Sequence, residues 1–216
     1  MSFKFINYCH IILLFIILSL AVTTDSYSKN LNKSEIDKKD YLSNYSSDIV
    51  AIEQYLNNIK NISANFNQIT SSGAISSGKF YLSRPGKMRV EYDDQPPIII
   101  IVNKSVLTYY DKELDEISNL RTNTTPASFL TRKNISFSAK DIEIINVFKE
   151  DEYFKITIAK KNSKRFGEFS LLFSLNPINF IQMQVANDLD ELVNVNLIDI
   201  DYKKPIANDL FILKKN

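Results

Sequence analysis

The chain has no tryptophan, one cysteine, one histidine and four glycines in 216 residues. The cysteine and histidine, Cys9 and His10, sit side by side in an apolar N-terminal stretch that reads as a secretory leader. Lys4 supplies its basic end. Ile11 to Val22 is apolar apart from Ser19, too short for the ~20 residues that span a bilayer. Small residues around Ala21 and Thr23 offer a peptidase its cut, so residues 1–21 are assigned as a cleaved signal peptide. Cys9 has no lipobox before it, which argues against lipidation there.

Without the leader the chain keeps neither thiol nor imidazole. A Ser-His-Asp triad, a thiol nucleophile, the usual zinc site and a disulfide all drop out. Lack of disulfides is ordinary for a small periplasmic domain. No glycine-rich phosphate loop appears. Carboxylates pair at Asp93-Asp94, Asp188/Asp190-Glu191 and Asp199/Asp201, the first two sets in turns, where Asp bonds its own backbone. We therefore expect no enzyme, no catalytic residue, no metal and no cofactor. Charge is equally balanced. Once Lys4 leaves, 25 basic residues face 25 acidic ones, which argues against a nucleic-acid partner.

What remains divides simply. Residues 22–47 are rich in Ser, Asn, Lys and Asp and are expected to form a polar flexible arm. Residues 48–216 are long enough for one domain with a sizeable core. Asp48 is placed to N-cap a helix. Ile49, Ile52, Leu56 and Ile59 share one face of it, with Tyr55 beside them, giving an amphipathic helix over 49–60.

The stretch from Gly78 to Asp111 then reads as four short strands. Phe80 and Leu82 alternate with polar neighbours up to Arg84-Pro85-Gly86, and Met88, Val90 and Tyr92 alternate again. Gln95-Pro96-Pro97 breaks the ladder, Ile98 to Val102 is wholly apolar, and Val106 to Tyr110 returns. Further strands are expected at about 63–70, 114–119, 141–148, 152–160, 166–174, 178–187, 192–202 and 209–213. Residues 120–139 interrupt the pattern, with one or two helical turns in Ala127 to Lys133. The clusters Lys160-Lys161 and Lys164-Arg165 flank a hairpin tip and read as a solvated turn.

The ordered set Gly78, Phe80, Leu82, Arg84, Pro85, Met88, Val90, Tyr92, Pro96, Ile98 to Val102, Tyr110 and Asp111 resembles the periplasmic lipoprotein carrier (LolA) family. Phe66-Asn67-Gln68, Thr125-Pro126 with Phe129-Leu130, Ile181 to Val185 with Asp188, and Leu210-Phe211 extend the likeness over most of 49–213. The chain departs from that pattern at Asn103-Lys104-Ser105, where relatives carry Asp-Gly, and at Thr108 or Tyr109, where they carry tryptophan.

The resemblance implies a mainly β fold: an incomplete, unclosed antiparallel barrel whose N-terminal helix and short helical lid cover an apolar cavity. Phe66, Phe80, Leu82, Met88, Val90 and Tyr92 are the cavity candidates, although alternation alone leaves them equally able to be solid core under the helix. Thr125, Pro126, Phe129 and Leu130 would belong to the lid, and Arg84 would latch it by donating to its backbone carbonyls. The implied function is a periplasmic carrier in a Gram-negative envelope, acting as a monomer. It would take acylated lipoproteins from an inner-membrane ABC-type exporter and pass them to an outer-membrane acceptor. Two other readings stand beside it: an envelope lipid or glycolipid binder of the same fold, and an envelope adaptor that binds no lipid.

Overall fold

The computed structural model describes residues 42–93, 97–163, 167–186 and 192–214. The assigned leader, most of the stretch read as a polar arm, Asp94-Gln95-Pro96, Lys164-Arg165 and the carboxylates Asp188, Asp190 and Glu191 lie outside them.

The helix α1 spans Ser46–Asn58 and buries Ile52 and Leu56. It begins before the expected start. Tyr45 is the capping residue and makes no side-chain cap bond, so Asp48 lies inside the first turn. There its carboxylate faces the positive helix end and takes both oxygens to Lys149 Nζ, at 2.8 and 3.0 Å. Leu42 and Tyr45, within the stretch read as a polar arm, pack on the core, Tyr45 edge-on to Phe154.

Eleven antiparallel strands follow: β1 Asn61–Thr70, β2 Ile75–Ser83, β3 Lys87–Tyr92, β4 Ile98–Asn103, β5 Val106–Asp111, β6 Glu116–Arg121, β7 Ile142–Glu150, β8 Tyr153–Lys160, β9 Glu168–Leu175, β10 Ile178–Ala186 and β11 Leu192–Asp201. They form one sheet in the order β6-β5-β4-β3-β2-β1-β11-β10-β9-β8-β7. Two meanders are thus sewn together where β1 pairs with β11, and β6 and β7 remain as edges.

Laid flat, eleven strands at ~4.8 Å spacing would measure roughly 48 Å across. The sheet curls instead. Lys160, one strand in from the β7 edge, reaches the carbonyl of Asn123, just past β6, at 2.6 Å. The segment from Thr122 to Asp141 must run from one edge to the other. It contains a 3-10 turn, Thr122–Thr124, and a single-turn helix α2, Ala127–Leu130. The lid is therefore the β6-to-β7 crossover itself.

Two apolar clusters result. The larger fills the concave side with α1, Phe154, Ile156, Phe169 and Phe173. The smaller lies on the convex side and explains why β4 is buried on both faces: Ile99 and Ile101 pack with Tyr110 and Phe211. The expected strand at 209–213 is a 3-10 turn, Asn208–Phe211, docked across that face rather than added to the sheet. Asn103 Nδ2 donates to Phe211 O (3.4 Å), Arg89 Nη1 to Leu210 O (3.3 Å) and Lys87 Nζ to Asn208 Oδ1 (2.6 Å).

A lidded apolar cavity as the candidate functional site

The concave face is not filled evenly. Ile52 and Leu56 of α1 belong to solid core, whereas the part under the crossover holds a partly open cavity of about 150 Å³ to which α1 contributes no lining. Of the six expected wall residues, Phe66, Phe80, Met88, Val90 and Tyr92 line it. Leu82 does not. It pairs in register with Ile62, and both are buried in the solid core.

The second meander supplies the opposite wall, through Phe169, Met183, Val185, Val193 and Val195. Period-two alternation in those strands marks an inward face, but their place at the cavity follows from the β1–β11 pairing. Ile100, Leu107 and Leu120 complete the apolar surface. The polar members are Gln68, Thr125 and the phenols of Tyr92 and Tyr109. Tyr92 Oη donates to Gln68 Oε1 at 2.8 Å, with both residues buried. Burial, reinforced by the Asp111 charge, pushes the Tyr109 phenol up to about 12, so it stays protonated.

Most lid hydroxyls bond within the lid itself; the buried Thr122 Oγ1 has no partner among the described residues. Thr124 Oγ1 donates to Arg121 O, Thr125 Oγ1 to Thr122 O, Ser128 Oγ to Thr125 O and Thr131 Oγ1 to Ala127 O, all at 2.8–2.9 Å. Short hydroxyl side chains suit such local back-bonding. The lid can then turn Pro126, Ala127 and Leu130 to the cavity, with Thr125 beside them. Phe129 is fully buried but faces elsewhere: it packs on Phe137 at 5.3 Å, with the Arg132 guanidinium 5.5 Å above its ring.

The attachments of the crossover differ at its two ends. Past the lid, α1 holds the chain firmly. Asn57 exchanges two bonds with Ile135 (2.7 and 2.8 Å), and Glu53 accepts from Phe137 N–H (2.6 Å) and Ser136 Oγ (3.0 Å). The lid proper has fewer ties to the barrel. Gly86 N–H donates to Thr131 O at 2.8 Å, Thr122 N–H to Ser105 O at 2.9 Å, and Lys160 to Asn123 O as noted. Gly86 sits at φ +80, a conformation that costs glycine little.

The latch implied for Arg84 is not formed in this arrangement. Among the described residues its buried Nε has no hydrogen-bond partner, and no guanidinium bond reaches the 125–131 carbonyls. Burial pushes its pKa down to about 10. The tie to the lid starts two residues later, at the Gly86 amide. Among the described residues no group of three or more His, Cys, Asp or Glu stands close enough to hold a metal ion.

Fold and cavity together define an open antiparallel half-barrel whose apolar pocket is partly covered by its own crossover. Residues 57–214 match the family described as outer membrane lipoprotein carrier protein LolA, and the chain belongs to that family. It is 30% identical over 172 residues to the outer-membrane lipoprotein carrier protein of Coxiella burnetii, covering 76% of this chain and 81% of that one. An uncharacterized protein of Rickettsia prowazekii is 26% identical over 162 residues, 75% of this chain and 74% of its own. A LolA superfamily protein of Nitrosomonas europaea with a solved structure aligns over 76% of this chain and 97% of that chain, with a TM-score of 0.47 and 8% identity.

Proposed function

We propose that the protein is a periplasmic carrier that shelters the acyl chains of lipoproteins between the inner and outer membranes of a Gram-negative cell. In this reading the N-terminal leader directs export and is removed. An inner-membrane ABC-type exporter loads the cavity, and an outer-membrane acceptor empties it. The observation that carries this reading is the apolar cavity under a tethered lid. Each buried methylene is worth ~0.8 kcal/mol, so an anchor of several tens of methylenes needs a cover to cross water.

Size also bears on mechanism. A cavity near 150 Å³ admits about one benzene-sized group. Cargo must therefore displace Pro126, Ala127 and Leu130, and lid closure opposes cargo. That opposition lets the protein release its load without consuming ATP. Export of the full chain, recovery of the periplasmic protein and native mass spectrometry test the reading. The expected spectrum contains a complex with an acylated lipoprotein. Free lipid alone would favour the envelope lipid binder, and a bare protein that also takes up no acylated probe would leave the adaptor.

A further inference from the structure

Gln68 is a polar side chain placed where the wall is otherwise almost wholly apolar. It is 3% exposed, lines the cavity, and stands between Ser76 of β2 and Val195 of β11 in the sheet register. Its two ends are treated differently. Tyr92 Oη donates to the amide oxygen at 2.8 Å and so fixes the group. The amide nitrogen has no hydrogen-bond partner among the described residues, and it is not sealed into the protein as the Arg84 Nε and Thr122 Oγ1 atoms are. A primary amide carries two N–H donors, and enclosing them unpaired is unfavourable.

The other polar groups of the wall share this bias. Tyr109 lines the cavity, and its hydroxyl has no partner among the described residues and keeps its proton. Thr125 Oγ1 already donates to the Thr122 carbonyl. Among the described residues the wall contains no charged side chain. A cavity with spare donors and an apolar lining fits a ligand that is hydrocarbon along its length and carries a carbonyl acceptor at its head. Ester- and amide-linked acyl chains have that chemistry, with a carbonyl oxygen as the acceptor. Simple alkyl chains do not.

We propose that Gln68, oriented by Tyr92, donates to the ester or amide carbonyl at the head of an acyl chain in the cavity, so that the site selects acyl over alkyl ligands. This rests on the carrier reading and adds a recognition element to it. The role is specific to the nitrogen, because Tyr92 occupies the oxygen.

The test compares dioctanoylglycerol with dioctylglycerol, its ether analogue without carbonyls, by calorimetry on the full mature chain. Wild type is expected to bind the ester about tenfold more tightly, the ratio given by ~1.4 kcal/mol. Gln68→Leu is expected to bring that ratio close to one. Tyr92→Phe, which frees the amide to rotate, should reduce it in part. A mere packing role for Gln68 would change both affinities and leave their ratio intact. Equal binding of the two probes by wild type overturns the proposal while the carrier reading stands. Binding of neither probe overturns the carrier reading itself. Should Gln68→Leu fail to fold, a ratio undiminished in Tyr92→Phe overturns the role assigned to the Tyr92-held amide.

Discussion

The Phe66 ring stands edge-on to Tyr92, centroids 5.3 Å apart and planes at 87°, and it reaches across Gly78, the residue between them in the sheet register. A Cβ at Gly78 would collide with the Glu91 carbonyl oxygen and fall 2.8 Å from the Phe66 ring. The aromatic wall of the cavity therefore depends on a missing side chain. Gly78→Ala is expected to destabilise the protein by roughly 2 kcal/mol, because backbone as well as ring must move. Urea unfolding checks this, and an unchanged midpoint would show that β3 yields freely.

Much of the fold was legible for a simple reason. A sheet with one buried face writes period two into its strands, as at Phe80-Leu82 and Met88-Val90-Tyr92, and a helix writes 3.6 into Ile52 and Leu56. What was not legible depends on partners distant in sequence. Leu210-Phe211 reads as a strand end, yet its partners Ile99 and Ile101 lie on a convex face. Leu82 and Met88 alternate identically, but only Met88 lies where the crossover passes overhead. Gln68 enters the sequence reading only through the Phe66-Asn67-Gln68 likeness, and its meaning needed Tyr92 beside it.

Val90 is half-buried in the cavity wall. Val90→Glu should keep the fold, because the carboxylate can hydrate through a displaced lid, while weakening an acyl-chain probe by tenfold or more, on the order of 1.4 kcal/mol. Circular dichroism and probe titration on the same sample separate the two effects. Loss of fold would mark that face as sealed core.

Lys160 ties Asn123 O at 2.6 Å and approaches Asp141 at 3.9 Å. Lys160→Met keeps the stem and removes both. Charged hydrogen bonds of this kind are worth ~1.5–3 kcal/mol. A loosened lid is expected to exchange its amide hydrogens faster over residues 123–131. The acyl probe should then bind up to about tenfold more tightly, because less is spent on opening. Unaltered exchange would remove Lys160 from the closure.

Arg84 tests the lid from the other side. With Nε buried and unpartnered, Arg84→Met should leave the empty protein equally stable or up to ~1 kcal/mol more stable, water still reaching part of the group. A latch requires the opposite sign. Thermal melts of wild type, Arg84→Lys and Arg84→Met decide between them.

Tyr109 carries a pH signature. Its phenol ionises near 10 when unfolded and near 12 in the folded protein, so folding favours the neutral form. That contribution is complete below pH ~10 and is lost as pH rises towards 12. Alkaline melts of Tyr109→Phe should fall less steeply over that window than those of wild type. Identical slopes would place the phenol in contact with solvent.

Because both ends of the lid are sewn to opposite edges of one sheet, through β6 and β7, it can swing aside but never diffuse away. In the proposed carrier it is a competitor held at a fixed local concentration by the chain itself. Dilution weakens any intermolecular rival for the cavity and leaves this one untouched. The affinity that an occupant displays is thus set by a ratio within one molecule. Sequence changes in residues 122–131 can tune that ratio without altering a single residue of the sheet.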